Sequence, residues 1–345
     1  MSQIPSSLHV KNLTQNPIIT TAKKHNKKAF AALLTPLLAA CDIIEIRAYV
    51  PNDSVLISAG YTVYYSASFS GDIYTGTGDK DAIIGANGDD VFYGSDGDDL
   101  IYGNGGDDII NAGKGADEIY GGSGDDYISP GVDTNYDYID GGTGVDTVSY
   151  LNHNGKLEID LESGDVFIDG SFEDDVVNIE NVDGVINASN VIYGNADDNL
   201  LSGGNYNDKI YGRDGDDVLE GLGGHDKLDG GNGDDELQGG SGDDVLVGGR
   251  GNDRFYGGTG NDVFKFSNQD IVGAVTTDVI YDFNILDDFI DFADLSFIVD
   301  FDDLIQNSVQ RGNDVEIFMH AFDDYTVKLE NVDVAQLSAN DFIFA

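Results

Sequence analysis

From Gly76 onward the chain places one large apolar residue every nine positions. Ile83, Phe92, Ile101, Ile110, Ile119 and Ile128 keep this spacing, and after an interruption Ile210, Leu219, Leu228, Leu237, Leu246, Phe255 and Phe264 resume it. Each lies at the centre of a three-residue x-U-x run that follows six residues rich in glycine. The best-formed units read GGNGDDELQ (230–238) and GGSGDDVLV (239–247). The alternation predicts a very short strand with its apolar side chain turned inward. The glycines predict a tight turn before it. One apolar residue in nine cannot bury itself alone, so the pattern predicts stacked coils sharing a continuous ladder of Ile, Leu and Phe. Two units per coil put residues i and i+18 directly above one another.

The polar positions repeat as strictly. The sixth position of each unit is Asp: Asp81, Asp90, Asp99, Asp108, Asp117 and Asp126 in the first block, and Asp208, Asp217, Asp226, Asp235, Asp244, Asp253 and Asp262 in the second. Stacking turns them into a row along each edge. Two carboxylates ~4.8 Å apart repel by ~3.5 kcal/mol at an effective dielectric of ~20, enough along two edges to open the stack. A divalent ion between successive loops reverses the sign. Carboxylates, with backbone carbonyls freed by the glycines, form the hard oxygen set that Ca²⁺ prefers. His225 is the one His or Cys in these loops, which argues against zinc or copper. The competing reading, Asx-turn formers in a glycine-rich solenoid, leaves such long uninterrupted runs of Asp unexplained. The acidic residue at position five (Asp89, Asp98, Asp107, Asp125, Asp216, Asp234, Asp243) reads as a solvated side chain that adds solubility.

These units resemble the RTX, or hemolysin-type, calcium-binding repeat G-G-x-G-x-D-x-U-x. The resemblance implies an all-β chain built as a parallel β-roll, with Ca²⁺ held between loops 18 residues apart by the position-six Asp and loop carbonyls. The implied pairs are Asp81 with Asp99, Asp90 with Asp108, Asp99 with Asp117 and Asp108 with Asp126. In the second block they are Asp208 with Asp226, Asp217 with Asp235, Asp226 with Asp244, Asp235 with Asp253 and Asp244 with Asp262. That is roughly nine ions in oxygen-ligated sites. Asn190 and Asn199 replace Asp at the start of the second block, and Asp137 and Asp146 fall out of phase after Pro130-Gly131. Occupancy at these block edges stays open.

The flanks divide the chain into a leader (1–41), an N-terminal β cap (42–71), a first roll block (72–150), a β spacer (151–184), a second block (185–266) and a C-terminal region (267–345). In the spacer, LEIDLESGDVFIDG reads as two strands around Ser163-Gly164 and VVNIENVDGV as a third. His153 reads as a surface residue. DVIYDFNILDDFIDFADL (278–295) and LENVDVAQLSANDFIFA (329–345) resemble the C-terminal region of serralysin-type metallopeptidases. That resemblance implies recognition by a type I (ABC transporter) export machine; the residues also suit a β cap over the end of the stack. Asp282 and Asp288 could reach a terminal Ca²⁺ there, but they read first as surface carboxylates. Near the other end, Lys23, Lys24, Lys27 and Lys28 precede AFAALLTPLLAA (29–40) and Cys41. This order resembles a bacterial lipoprotein signal with a lipid anchor on Cys41, and it equally fits a short apolar helix or unstructured leader.

Charge narrows the function classes. Of 17 Lys and Arg against 64 Asp and Glu, giving a net −47, nearly all the excess acid lies beyond residue 70. Such a body repels phosphate, so nucleic acid is not a partner. The sequence holds no H-E-x-x-H, G-x-S-x-G or P-loop signature, and the stretch between Cys41 and the repeats is too short for a catalytic domain. The chain therefore reads as a secreted calcium-binding β-roll that folds on binding the ion, and not as an enzyme. The alternative is an extracellular adhesion or polysaccharide-associated module at a cell surface, with Tyr211, Arg213, Arg254 and Tyr256 available to touch an acidic sugar.

Overall fold

A single 18-residue period organises the computed structural model, which describes residues 60–65, 71–268, 276–295, 298, 300–319 and 325–344. All of these belong to the unit Asn52–Ala345. The leader read over 1–41, Cys41, and most of the 42–71 segment lie outside the described residues.

The strands pair almost entirely in parallel, into one sheet of 15 strands and one of 14. Within the repeat blocks, strands in chain order alternate between the two sheets, so each coil there contributes one strand to each. Ile83 pairs in register with Ile101, and Ile101 with Ile119. In the second block Ile210, Leu228, Leu246 and Phe264 follow one another in register, as do Leu219, Leu237 and Phe255 across the opposite sheet. All thirteen position-eight side chains are fully buried. The core is therefore an apolar ladder between two facing sheets. It exists because only one residue in nine points inward and each finds its partner one coil above and below. The chain is an all-β parallel β-roll.

The turns depend on glycine where the coils approach most closely. Gly242 has φ +131°, and a Cβ there would collide with the Gly224 carbonyl of the coil before it. Stacking at strand spacing leaves no room for a side chain at that point.

The spacer departs from the sequence reading. In one sheet, Tyr138–Thr143 pairs in parallel with Ser171–Val177, which turns back antiparallel through Asp165–Ile168 to Leu157–Asp160. Leu157–Asp160 then hands the sheet on in parallel to Val191–Tyr193. The other sheet crosses the same gap with one strand, Asn181–Asp183, between Thr147–Ser149 and Leu200–Gly204. The run read as one strand, VVNIENVDGV, is thus divided between two sheets. The break falls at Asn178, whose φ of +53° no strand accommodates.

The C-terminal region also holds more than β structure. A short helix, Phe301–Gln306, opens with Asp300 as its N-cap, whose side chain accepts from the Asp303 N–H. An antiparallel hairpin of Ser308–Arg311 and Asp314–Phe318 follows, and Tyr325–Leu329 and Phe342–Ile343 continue the two sheets in parallel. No helix among the described residues is long and apolar enough to cross a membrane.

Candidate metal centre

Each position-six Asp stands at the end of a loop and immediately before its strand, where the backbone turns into the sheet. The aspartates are buried, at 2 % exposure or less. One carboxylate oxygen is tied to the neighbouring coil, since Oδ1 accepts from the backbone N–H of the Asp one coil earlier. Asp81 donates to Asp99 at 2.8 Å, Asp90 to Asp108 at 2.7 Å, Asp99 to Asp117 at 2.7 Å and Asp108 to Asp126 at 2.8 Å. In the second block the pairs are Asp208 with Asp226, Asp217 with Asp235, Asp226 with Asp244, Asp235 with Asp253 and Asp244 with Asp262, at 2.7 to 3.0 Å. All nine expected pairs are neighbours.

The second oxygen behaves differently. Oδ2 of Asp99, Asp108, Asp117, Asp126, Asp217, Asp226, Asp235, Asp244 and Asp262 is buried and has no hydrogen-bond partner. Those of Asp99, Asp108, Asp126, Asp217, Asp226, Asp235 and Asp244 point at the first glycine of their own loop, beside a carbonyl from the next coil. At Gly221 a Cβ would lie 2.5 Å from Asp226 Oδ2 and 2.6 Å from the Gly239 carbonyl oxygen. Unpaired buried oxygens are costly, and a carboxylate oxygen facing a carbonyl is an electronegative pocket that needs a positive charge. Among the described residues no three His, Cys, Asp or Glu side chains converge on one point. A cation here must therefore complete its shell from backbone carbonyls, and the donor set is all oxygen. That set fits Ca²⁺ and does not fit a soft metal.

Burial acts on the same groups. It pushes the carboxyls of Asp99, Asp117, Asp126, Asp217 and Asp262 up to about 7, and those of Asp108, Asp226 and Asp235 up to about 8. The backbone N–H donated to Oδ1 pulls the other way, and neighbouring carboxylates add to the rise. Without a cation, the rows hold protons close to neutral pH.

Not every position-six Asp is built alike. At the start of the blocks the second oxygen turns back onto its own loop: Ala86 N–H donates to Asp90 Oδ2 at 3.1 Å, and Gly204 N–H to Asp208 Oδ2 at 2.6 Å. Asn190 goes further. Its amide donates to the carbonyls of Val185 and Ala188 and to Asp208 Oδ1, so a neutral NH₂ answers the loop oxygens there.

Two side chains, Asp288 and His153, sit differently from what the sequence predicts, while Asp282 is exposed as read. Asp288, read as a surface carboxylate, is buried and extends the row: Asp262 N–H donates to its Oδ1 at 3.1 Å. Asp282 bridges the N–H groups of Gly257 and Gly258. His153 is buried, with Nε2 against the Gly131 carbonyl and its ring edge-on to Tyr150, and burial lowers its pKa.

The position-five residues are exposed, as expected, except the half-buried Asp98, but they are not idle. Asp89 accepts from Asp107 N–H, Asp107 from Asp125, Asp216 from Asp234 and Asp234 from Asn252, at 2.8 to 3.0 Å. They form an outer ladder running opposite to the inner one: position five accepts from the coil after it, position six from the coil before. His225 takes one rung, accepting from Asp243 N–H through Nδ1 at 2.7 Å. Consecutive acidic residues on one strand entry were the available signal; their bonding needed the stack. On the outer face, Arg213 is engaged by Asp160 at 2.6 and 2.9 Å and by the Gly194 carbonyl.

The family model for the RTX calcium-binding nonapeptide repeat matches this chain in four copies, at residues 75–110, 102–136, 193–228 and 229–264. No curated protein matches the sequence significantly. Among solved structures, the chain is similar to the extracellular lipase LipA from Serratia marcescens, at 17 % identity, 80 % of this chain, 40 % of that chain and a TM-score of 0.29. It is also similar to the AlgE6R3 subunit of the Azotobacter vinelandii mannuronan C5-epimerase, at 26 % identity, 44 % of this chain, 81 % of that chain and a TM-score of 0.29. The chain spans less than half of the lipase's length.

Proposed function

We propose, from the premise that these coils are RTX calcium-binding repeats, that the protein is a secreted β-roll whose folding is driven by Ca²⁺ bound between its loops. The observation that carries this reading is the row of buried position-six carboxylates, nine of which leave one oxygen without a hydrogen-bond donor. The ion supplies the positive charge that two facing acidic edges lack. The chain's own part is to hold Oδ1 fixed on the preceding coil's N–H, to aim Oδ2 at the first glycine, and to exclude water with the strand residues.

The consequence is metal-coupled folding. Where calcium is scarce the rows repel and the chain stays extended, a form suited to passage through an export channel. Extracellular calcium modules bind at Kd ~10⁻⁴–10⁻³ M, so external calcium suffices to fold it. The resemblance of 278–295 and 329–345 to serralysin-type C-terminal regions supports type I export. The position-six residues Asp81 to Asp126 and Asp208 to Asp262 are the proposed metal-facing side chains, and no catalytic residue is proposed.

Circular dichroism of the full chain tests the reading. We expect little ordered β signal in chelator and a cooperative gain at millimolar Ca²⁺. Mg²⁺ is a poor substitute because it demands near-ideal octahedral geometry. A spectrum identical in chelator and in calcium would refute metal-driven folding.

A further inference from the structure

The outer faces of the roll are not equally charged. In one sheet, Ile73–Thr75, Val91–Asp96, Ile109–Lys114 and Tyr127–Gly131 pair in parallel and in register over four consecutive coils. Two residues of each strand point outward there, one on either side of the inward position eight. One column is Ile73, Val91, Ile109 and Tyr127, and the other is Thr75, Tyr93, Asn111 and Ser129. No residue of either column is charged, in a chain of net −47. At the same positions of this sheet the second block carries Glu220, Glu236 and Arg254.

The large side chains of this face are open to solvent. Ile73 is 74 % exposed, Ile109 51 %, Tyr93 45 % and Tyr127 37 %. Together they present an apolar patch on the order of 400 Å², within the range at which the largest patch of a single chain is often functional. The Tyr127 ring is held in place, because its hydroxyl donates to Asp183 Oδ2 at 2.6 Å. Asp183 is also where charge returns to the sheet, one strand beyond Thr147–Ser149.

The missing charge selects the partner. A polyanion is repelled by the body of the protein. A cation gains more at the loop edge, where the exposed carboxylates of Asp89, Asp107 and Asp125 stand in a row, than on a face that offers it none. A second copy of this chain has the opposite need. Two bodies of net −47 can approach without burying carboxylates only where neither carries any.

The face is also complementary to itself. A two-fold axis parallel to the strands, midway between Val91–Asp96 and Ile109–Lys114, reverses the order of the coils. It sets Ile73 opposite Tyr127 of the second copy and Val91 opposite Ile109. It sets the phenol of Tyr93 opposite the amide of Asn111, and Thr75 opposite Ser129. Polar residues therefore meet polar residues, and apolar residues meet apolar ones. The acidic row lies at the rim of this contact, with Asp89 opposite Asp107.

We propose that the outer face formed by these four strands is a contact between two copies of the chain, packed face to face with their rolls antiparallel. The contact needs the folded roll and not the identity of its ion, so the proposal goes beyond the calcium reading and stands apart from it. Two such faces bury roughly 800–1,200 Å², the lower end for a specific interface, which makes the dimer a weak and reversible one. The opposed rim carboxylates fix the sign of its salt dependence: screening them tightens the association.

Sedimentation equilibrium of the full chain in saturating calcium is the test, over loading concentrations from about 1 to about 500 µM, the range of a weak dimer. We expect the mass to rise from one chain towards two, and the midpoint to fall as NaCl is raised. Ile109→Asp, at the centre of the face, should abolish the rise. Leu200→Asp, at an exposed apolar position of the same sheet outside the face, should leave it unchanged. Circular dichroism checks that each variant keeps its β signal. If Ile109→Asp does not fold, Ile73→Asp, at the end of the column, should still weaken the dimer by about tenfold. A chain that stays monomeric at the highest concentration, a dimer that Ile109→Asp or Ile73→Asp leaves intact, or an association that weakens with NaCl overturns the proposal. Each of these results leaves the calcium reading standing, since ion counts decide that separately.

Discussion

The Tyr150 hydroxyl and Asp174 Oδ2 lie 2.8 Å apart, and this bond closes a carboxylate row that is otherwise open on one side. The same device recurs after the second block, where the Tyr325 hydroxyl donates to Asp278 and Asp253 N–H donates to the other oxygen of that carboxylate. Tyrosine thus answers with a neutral donor an oxygen that nine position-six aspartates in the interior loops leave without one.

Tyr150→Phe removes that donor and keeps the ring. A buried carboxylate oxygen without a partner costs about 1–3 kcal/mol. The thermal midpoint in saturating calcium should fall accordingly. An unchanged midpoint would mean that the hydroxyl carries no net stabilisation.

The two ladders should respond differently to substitution. Asp235→Ala removes an oxygen proposed to face the ion and leaves the Asp217 N–H without its acceptor. It should raise the calcium midpoint and lower cooperativity. Asp234→Ala, in the exposed outer ladder, removes the acceptor of the Asn252 backbone N–H and side-chain amide. It should cost roughly 0.5–1.5 kcal/mol and leave the number of bound ions as it was. Titrations followed by circular dichroism, with ion counts by dialysis, compare the pair.

Glycine is obligatory only where coils touch. Gly242→Ala adds the cost of a left-handed alanine, about 1–2 kcal/mol, to a collision with the Gly224 carbonyl. Gly78 has open space around it and no positive φ. Gly78→Ala should therefore stay within about 0.5 kcal/mol of wild type. Denaturant titration in saturating calcium measures both, and equal losses would contradict the close-approach argument.

Protons and calcium should compete. Eight position-six carboxyls, those of Asp99, Asp108, Asp117, Asp126, Asp217, Asp226, Asp235 and Asp262, are raised from an ordinary 3.8 to about 7 or about 8, chiefly by burial. The metal-free fold therefore binds more protons than the unfolded chain between roughly pH 4 and pH 8. Its stability from these groups is fully present below about pH 4 and is lost as pH rises through about 8. In chelator, acidifying from pH 8 to pH 5 should increase ordered β signal. At pH 7, calcium binding should release protons, read by calorimetry in buffers of different ionisation enthalpy. Chelated protein that orders as pH rises would reverse the sign and count against buried rows.

The nine-residue spacing by itself determined the roll. One apolar residue per unit can be buried only by its copy one coil away, so Ile83 over Ile101 and Leu228 over Leu246 follow from the repeat. The same spacing placed Asp226 beside Asp244, because identical units stacked at one interval must align. Where the interval changes, local pattern has no such leverage. The 34 residues between Asp146 and Glu180 on one row, and the 24 between Tyr150 and Asp174, are joined only by how the spacer hairpin folds into one sheet. Which carboxylate oxygen meets a hydroxyl, an amide or an open pocket was likewise settled by tertiary packing. A carboxylate's chemistry depends on what faces its second oxygen, and that neighbour comes from a distant part of the chain.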